Sequence, residues 1–166
     1  VYDASKTNEK AWIWDVAENK DGEPVIVYSR FPDDRNHVYY YSVWNNNKWN
    51  NYKLVNSGTW FPQTPAGEKE REPFYSGGIV LDHEDPAIVY LSRLKNNKFE
   101  IEKWTTSDKG INWSVEEVTS HSENNNVRPF VIRNYSAQDS LKLLWMNADK
   151  YIHYTDYQTA IKMNIR

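Results

Sequence analysis

The stretch from Thr105 to Trp113 reads TTSDKGINW, and it combines an acid, hydroxyls, a glycine and an indole within nine residues. Two hypotheses follow: a catalytic loop with Asp108 as its acid, or a turn that holds a sheet together. In a turn, each of the distinctive residues of this stretch would have a structural role. The Asp108 carboxylate and the Thr106 hydroxyl can accept backbone N–H groups. Gly110 can supply a positive φ, and the Trp113 ring can pack between neighbouring sheets.

A second stretch, SVWNNNKW from Ser42 to Trp49, decides between these hypotheses. It keeps the hydroxyl and the final Trp, but Asn46 replaces the glycine and Trp44 replaces the aspartate. Asn tolerates left-handed backbone geometry, so the turn survives without the carboxylate. We therefore interpret Thr106, Asp108, Gly110 and Trp113 as structural residues.

Three arginines are candidates for binding a carboxylate group of a ligand, because guanidinium groups bind carboxylates in a fork geometry. Arg35, Arg71 and Arg128 all flank loops that contain Pro or Gly, next to predicted strands. The alternative for Arg128 is a structural salt bridge. For Arg71 the alternative is a solvated charge cluster, since it belongs to the run EKERE.

Three further residues are candidates for contact with a ligand, and Tyr75 is also a candidate for proton transfer. His37 begins a Tyr-rich strand, and Tyr75 precedes Gly77–Gly78, where missing side chains allow close approach. Trp60 lies in the long loop at 56–75, where an indole could stack on the flat apolar face of a ligand. Trp12 and Trp14 alternate along one strand, which favours core packing. We expect His83 in a turn on the far rim.

Metal binding is not indicated by the histidines, since none of the four has HxH or HxxxH spacing. We expect no cofactor. Adjacent turn carboxylates such as Asp33 and Asp34 leave a Ca²⁺ ion open as an alternative.

Composition excludes several classes of protein. The net charge is −3 with no block of Lys or Arg, which argues against a nucleic-acid partner. No apolar run approaches the length of a membrane span, and the absence of Cys excludes disulfides.

The elements that must position these residues are short β-strands separated by turn residues, and aromatic residues make up 15% of the chain. The predicted strands are 11–16, 24–29, 37–44 and 49–55, then 78–81, 87–93, 98–105 and 113–119, then 128–133, 141–146, 151–154 and 160–164. Three sets of four strands indicate three antiparallel meanders, at about 11–55, 76–119 and 126–165.

The first two sets repeat one another. EPVIVYSR and VYYYSVWNNNKW in the first correspond to DPAIVYLSR and FEIEKWTTSDKGINW in the second. The interval from Arg30 to Trp49 is 19 residues, and that from Arg93 to Trp113 is 20. Tandem four-stranded meanders of this kind indicate an all-β, partial β-propeller of about three blades.

The stretch from Thr106 to Trp113 resembles the Asp box, the bacterial neuraminidase repeat (BNR) of sialidase-like β-propellers. The resemblance extends over most of the chain, through the segments Trp12–Asp15, Pro24–Tyr28, Asp34–His37, Tyr75–Ile79, Asp85–Tyr90, Asn126–Pro129 and Tyr154–Tyr157. These look like the C-terminal blades of the BNR family, which includes sialidases and lyases of uronate-containing polysaccharides.

The resemblance implies a carbohydrate-active parent protein that is secreted, periplasmic or on the cell surface and that meets an acidic polysaccharide or a sialylated glycan. Uronate lyase, sialidase and non-catalytic glycan-binding module all stay open. Neither a lyase nor a sialidase residue set is complete here, so we expect the chain to be part of a longer protein and inactive alone. Missing blades or a second copy would cover the open sheet edges.

Overall fold

The computed structural model describes residues 1–58, 64–69, 77–136 and 138–165. Within these ranges the chain is all-β, with one 3₁₀ turn at Ala4–Lys6 and three antiparallel sheets. Sheet I contains β1 (Lys10–Glu18), β2 (Pro24–Asp33), β3 (Asn36–Asn45) and β4 (Lys48–Gly58). Sheet II contains β5 (Ile79–Leu81), β6 (Ile88–Lys95), β7 (Lys98–Thr105) and β8 (Ser114–Glu117). Sheet III contains β9 (Asn125–Val131), β10 (Leu141–His153) and β11 (Asp156–Ile165).

Each sheet is a meander in which consecutive strands pair, and none of the three is closed. The backbone geometry of the turns explains why consecutive strands pair. Asn46 and Asn47 join β3 to β4 with φ of 53° and 58°, and Asn96 and Asn97 join β6 to β7 with φ of 49° and 66°. Two consecutive left-handed residues match the twist of a tight hairpin. The prediction that Asn46 would adopt this geometry is confirmed.

The third set differs from its prediction, because sheet III has three strands and not four. The predicted break between 146 and 151 is wrong: β10 continues through it. Ala148 is fully buried and pairs with Thr159 on one side and Asn125 on the other. Asp149 is absorbed as a bulge in the pairing with β11. Pairing on both sides therefore outweighs the turn composition of this segment.

Apolar side chains that alternate along the central strands form the core between the sheets. Between sheets I and II lie Val25, Val27, Tyr39, Tyr41 and Val43, with Ile79, Leu81, Val89, Leu91 and Trp104 facing them. Between sheets II and III lie Tyr90, Ile101, Val131, Leu143 and Trp145. Sheet II is thus covered on both faces, and the three sheets form consecutive layers.

The first strands of the three sheets meet. β5 contacts both β1 and β9, so residues from sequence positions far apart share one surface. Across the part of the chain that the structure describes, no helical segment has the length and hydropathy of a membrane span.

Candidate functional site

A groove of about 540 Å³ lies where β1, β5 and β9 meet. Its chemically distinctive lining residues are Trp12, Trp14, Asp15, His83, Arg128, Phe130 and Arg133. Aromatic rings, two guanidinium groups and a carboxylate–imidazole pair therefore face one space. This combination suits a ligand that has both an apolar face and negative charge.

Arg128 has an unusual backbone within this groove. Its φ is 54° although it precedes Pro129 inside β9, and the pairing of β9 with β10 shifts register beside it. A non-glycine residue before proline strongly prefers extended geometry, so this conformation costs on the order of 1–3 kcal/mol. The bulge re-aims the side chain, and the Arg128 Nη2 donates to the Tyr151 hydroxyl at 2.7 Å.

Gly78 makes the close approach of β9 possible, and the Gly77 carbonyl accepts a hydrogen bond from β9. The Arg128 N–H donates to the Gly77 carbonyl at 2.5 Å. A Cβ at Gly78 would lie 3.4 Å from Pro129 Cδ and 3.5 Å from Arg128 Cα, and its φ of 94° also favours glycine. The sequence is compatible with the approach of either backbone or a ligand to these glycines. In the structure, the backbone at Arg128 approaches them.

Two aromatic side chains of the groove are exposed. Trp12 is 41% exposed and Phe130 is 61% exposed. The expectation of core packing holds for Trp14, which packs against the core of sheets I and II, but Trp12 lies at the surface. The Trp12 ring instead meets Phe31 edge-on, with centroids 5.4 Å apart.

A buried hydrogen-bonded chain lies behind the groove. Trp14 Nε1 donates to the Ser29 hydroxyl at 2.6 Å, and that hydroxyl lies 2.6 Å from His37 Nε2. His37 is fully buried between Phe31 and Tyr39. It therefore offers a ligand no surface, and its contact through Ser29 holds the indole of Trp14 in place.

Asp15 and His83 form a pair across sheets I and II. His83 Nε2 lies 3.1 and 3.0 Å from the two oxygens of Asp15. The Asp15 carboxylate also accepts the Leu81 N–H at 3.1 Å, and a guanidinium nitrogen of Arg133 lies 4.0 Å away. A carboxylate that orients an imidazole is an arrangement for proton transfer. The expected place of His83 on a far rim is corrected: it lines the groove.

The other predicted site residues lie elsewhere. Arg35 is exposed in the turn between β2 and β3, where its N–H donates to Asp33 Oδ1 at 2.7 Å. It is not among the described residues that line the groove. Trp60, Arg71 and Tyr75 lie outside the described residues. Of the predicted candidates that the structure describes, only Arg128 lines the groove.

The segment from Thr106 to Trp113 forms the connection between β7 and β8 and packs against sheet I. The Thr106 hydroxyl accepts the Gly110 N–H at 2.9 Å, and the Asp108 carboxylate accepts the N–H of Asn112 at 2.8 Å. Hydrogen bonds from Asn112 hold the pKa of the Asp108 carboxyl below its usual value. Every described polar contact of Asp108 is thus made within its own loop.

Close contacts at Trp113 and Gly110 join this loop to sheet I. The Trp113 ring meets Tyr41 edge-on at 5.1 Å, and its Nε1 donates to the Gly110 carbonyl at 3.0 Å. A Cβ at Gly110 would lie 2.7 Å from Tyr52 and 2.8 Å from Tyr41. The loop therefore links sheets I and II at a position away from the groove.

Sequence reasoning did not select Asp15, His83, Phe130 or Arg133 as site residues. The sequence does contain a feature that these residues share, because they lie on or directly after the first predicted strand of a set. Because the first strands of the three sheets meet, these residues lie on one surface. In the described ranges, no cluster of three or more His, Asp or Glu side chains suited to a metal ion occurs.

The chain matches no protein-family model, and comparisons with curated proteins and with solved structures find no match either.

Proposed function

We propose that the groove binds an acidic glycan, and that the three sheets are blades of a β-propeller in a protein that recognises or degrades such a glycan. The observation that carries the proposal is Arg128, which lies at a strained bulge and lines the same groove as exposed Trp12 and Phe130. A guanidinium group binds a sugar carboxylate through paired hydrogen bonds, and aromatic rings cover the apolar face of a sugar.

Electrostatics favour an anionic ligand. Arg128 and Arg133 both line the groove, whereas Asp15 is the carboxylate among its lining residues, and it is already bonded to His83 and the Leu81 N–H. The groove is therefore a cationic site on a chain whose net charge is −3. Such local charge favours a discrete anionic group over a polyanion that needs a long basic surface.

The propeller assignment is supported by the three consecutive meanders and by the convergence of their first strands, which would then surround the axis. Apolar side chains also face outward at both ends of the stack. Ile13 and Val16 are exposed on β1, and Ile161 and Met163 are exposed on β11. We propose that further blades or a second copy cover these ends. A glycan-active protein of this kind would work outside the cytoplasm.

Titration calorimetry with a glucuronate-containing oligosaccharide tests the binding proposal. Arg128→Ala should weaken binding about tenfold or more, since hydrogen bonds to charged groups contribute about 1.5–3 kcal/mol. The matched control is Arg35→Ala, an exposed arginine outside the groove. The same oligosaccharide with its carboxylates reduced to alcohols should bind weakly to the wild-type protein. Equal affinity of Arg128→Ala and Arg35→Ala for the acidic oligosaccharide would contradict the proposal.

A second candidate function is cleavage of the glycan, and the Asp15–His83 pair favours it. In a lyase, an imidazole oriented by a carboxylate would remove the C5 proton beside the sugar carboxylate, while arginine neutralises that carboxylate. The electron pair forms the C4–C5 double bond as the glycosidic C4–O bond breaks, and the departing sugar oxygen takes up a proton. Ultraviolet absorbance of the unsaturated product would detect this reaction, and release of sialic acid from a reporter glycoside would detect a sialidase. Product formed by the wild-type protein but not by His83→Ala would support cleavage. Binding without either product identifies a glycan-binding module.

A further inference from the structure

The loop that carries His83 is joined to sheet III by a buried carboxylate. Asp82 is 1% exposed, and its Oδ2 accepts a hydrogen bond from the Tyr135 hydroxyl at 2.6 Å. Neither residue lines the groove, and neither takes part in the binding or the cleavage proposed above. We infer that Tyr135 is a positioning residue, which acts through Asp82 to hold the His83 imidazole against Asp15 in the groove.

The two carboxylate oxygens of Asp82 have separate partners. Oδ1 accepts the backbone N–H of Glu84 at 3.0 Å, which closes the turn around His83. Oδ2 accepts from Tyr135, on the segment that follows β9. The backbone N–H of Asp82 donates to the Ile88 carbonyl at 2.9 Å, at the start of β6. A carboxylate at this depth needs such partners, because a buried charge without hydrogen bonds is costly.

A second hydrogen bond connects the same two segments. The backbone N–H of Asn134 donates to Glu84 Oε1 at 2.8 Å, and the φ of 58° at Asn134 is a left-handed conformation in the turn after β9. The residues on either side of His83 are thus joined to the segment after β9. His83 itself contacts Asp15 on sheet I. Contacts with both neighbouring sheets therefore fix the position of the imidazole.

The surroundings of Tyr135 suit it to this task. Burial, together with the hydrogen bond to Asp82, raises the pKa of the Tyr135 hydroxyl above its ordinary value. The hydroxyl is therefore protonated near neutral pH and donates to the carboxylate. The Lys142 ammonium lies 4.6 Å from the centroid of the Tyr135 ring, and the ring packs against the apolar core between sheets II and III. These contacts hold the ring on sheet III, so its hydroxyl sets the position of Asp82.

The inference deepens the proposed cleavage and rests on it for its functional consequence. Proton transfer requires an imidazole at a fixed place relative to the substrate, and a displacement of about 1 Å can lower the rate about 100-fold. Without the Tyr135 hydroxyl, Asp82 would keep its bond within the turn but lose its link to sheet III. His83 would then no longer be held at a fixed position relative to Arg128, which lies on β9 of sheet III.

Nitrogen-15 NMR of the neutral His83 imidazole tests this inference without a substrate. In the wild type, Asp15 accepts from Nε2, so the imidazole should carry its proton on Nε2. Tyr135→Phe removes one hydroxyl and should raise the share of the Nδ1 tautomer about tenfold, since a hydrogen bond to a charged group is lost. Tyr28→Phe is the matched control, because the Tyr28 hydroxyl donates to Asn51 Oδ1 at 3.3 Å on sheet I, outside the groove.

Two further variants separate the hydrogen bond from the stability of the fold. Asp82→Asn can keep the link, because its amide N–H can donate to the Tyr135 oxygen, and it should retain the wild-type tautomer. The double substitution Asp82→Asn with Tyr135→Phe removes both the link and the buried charge. It should therefore fold and show the same tautomer change as Tyr135→Phe. A His83 signal that is unchanged in both Tyr135→Phe proteins, or that changes equally in Tyr28→Phe, overturns the inference.

Kinetics connect the inference to the proposed cleavage. If the wild-type protein forms the unsaturated product, Tyr135→Phe should lower kcat about tenfold or more and leave KM nearly unchanged, because the contacts of Arg128 stay in place. An equal loss of kcat in Tyr28→Phe would contradict the positioning role. A wild-type protein that forms no product overturns the cleavage proposal alone, and the tautomer of His83 still decides whether Tyr135 is a positioning residue.

Discussion

The imidazole Nε2 of His83 lies 3.0 Å from Oδ2 of Asp15, and this contact joins the segment after β5 to β1 across two sheets. The carboxylate simultaneously accepts the Leu81 N–H from β5. The Asp15 side chain is 13% exposed and the His83 side chain is 17% exposed, so both are mostly buried. Asp15 therefore links sheets I and II at the wall of the groove.

Asp15→Ala should lower the free energy of unfolding by about 1–3 kcal/mol, because the Leu81 N–H and the His83 imidazole both lose their acceptor in a mostly buried place. Urea denaturation followed by tryptophan fluorescence would measure the change. Asp149→Ala is the control, since Asp149 is an exposed bulge residue on β10. That variant should stay within about 0.5 kcal/mol of the wild type. Equal midpoints for both variants would show that Asp15 has no structural role.

Gly110→Ala should be strongly destabilising for two reasons: a φ of 103°, and a Cβ that would lie 2.7 Å from Tyr52. The unfavourable φ alone costs on the order of 1–3 kcal/mol. Gly67→Ala separates the two causes, because Gly67 has a φ of 87° but nothing within 4 Å of the added Cβ. A Tm for Gly110→Ala well below that of Gly67→Ala would reveal the clash. Similar Tm values would mean that close packing against sheet I is unimportant.

Asp108→Asn should destabilise the protein near neutral pH, and the difference from the wild type should shrink in acid. Hydrogen bonds from Asn112 lower the pKa of Asp108 in the folded state below its ordinary 3.8. The folded protein therefore holds this proton less tightly than the unfolded chain, and the carboxylate stabilises the fold fully above pH 3.8. That stabilisation is lost as pH falls through the folded pKa.

Denaturation of wild-type and Asp108→Asn proteins at several pH values would measure this loss. A difference that stays constant from neutral pH to below the folded pKa would contradict the assignment. Glycan binding at neutral pH should be unchanged, since the described contacts of Asp108 lie within its own loop.

Trp12→Ala should weaken glycan binding roughly three- to tenfold, because an aromatic contact contributes about 0.5–1.5 kcal/mol. Trp44→Ala is the matched control: Trp44 is 37% exposed on the same sheet, packs edge-on against Trp49, and does not line the groove. Calorimetry with the acidic oligosaccharide would compare the two variants. If Trp44→Ala weakens binding as much as Trp12→Ala, the ligand lies outside the groove.

The local pattern of the sequence predicts the meanders well, for a physical reason. Consecutive antiparallel strands need only short turns, and turn residues report their backbone geometry directly. Asn46, Asn96 and Gly110 all have the positive φ that their residue types favour. The central strands of sheets I and II likewise follow from alternating apolar residues such as Val25 and Val27.

The sequence pattern predicts strand boundaries and burial less well where contacts between distant parts of the chain determine them. The polar segment around Asp149 has the composition of a turn, yet strand pairing on both sides of Ala148 keeps β10 continuous. Trp12 and Trp14 both lie on β1, but the pairing of β1 with β2 shifts register between Ile13 and Asp15, and of the two indoles Trp14 packs against the core of sheets I and II while Trp12 is exposed. The residue pattern of a single strand does not report which neighbour covers it.

The sequence by itself determined the class of fold, the order of the hairpins in sheets I and II and the structural task of the loop around Asp108, because each depends on interactions among residues close in the chain. Only the tertiary structure decided the candidate site. Asp15, His83 and Arg128 come from β1, from the segment after β5 and from β9, and no spacing in the sequence records that these elements meet. Their convergence follows from the burial of apolar faces between sheets, which is a property of the whole fold.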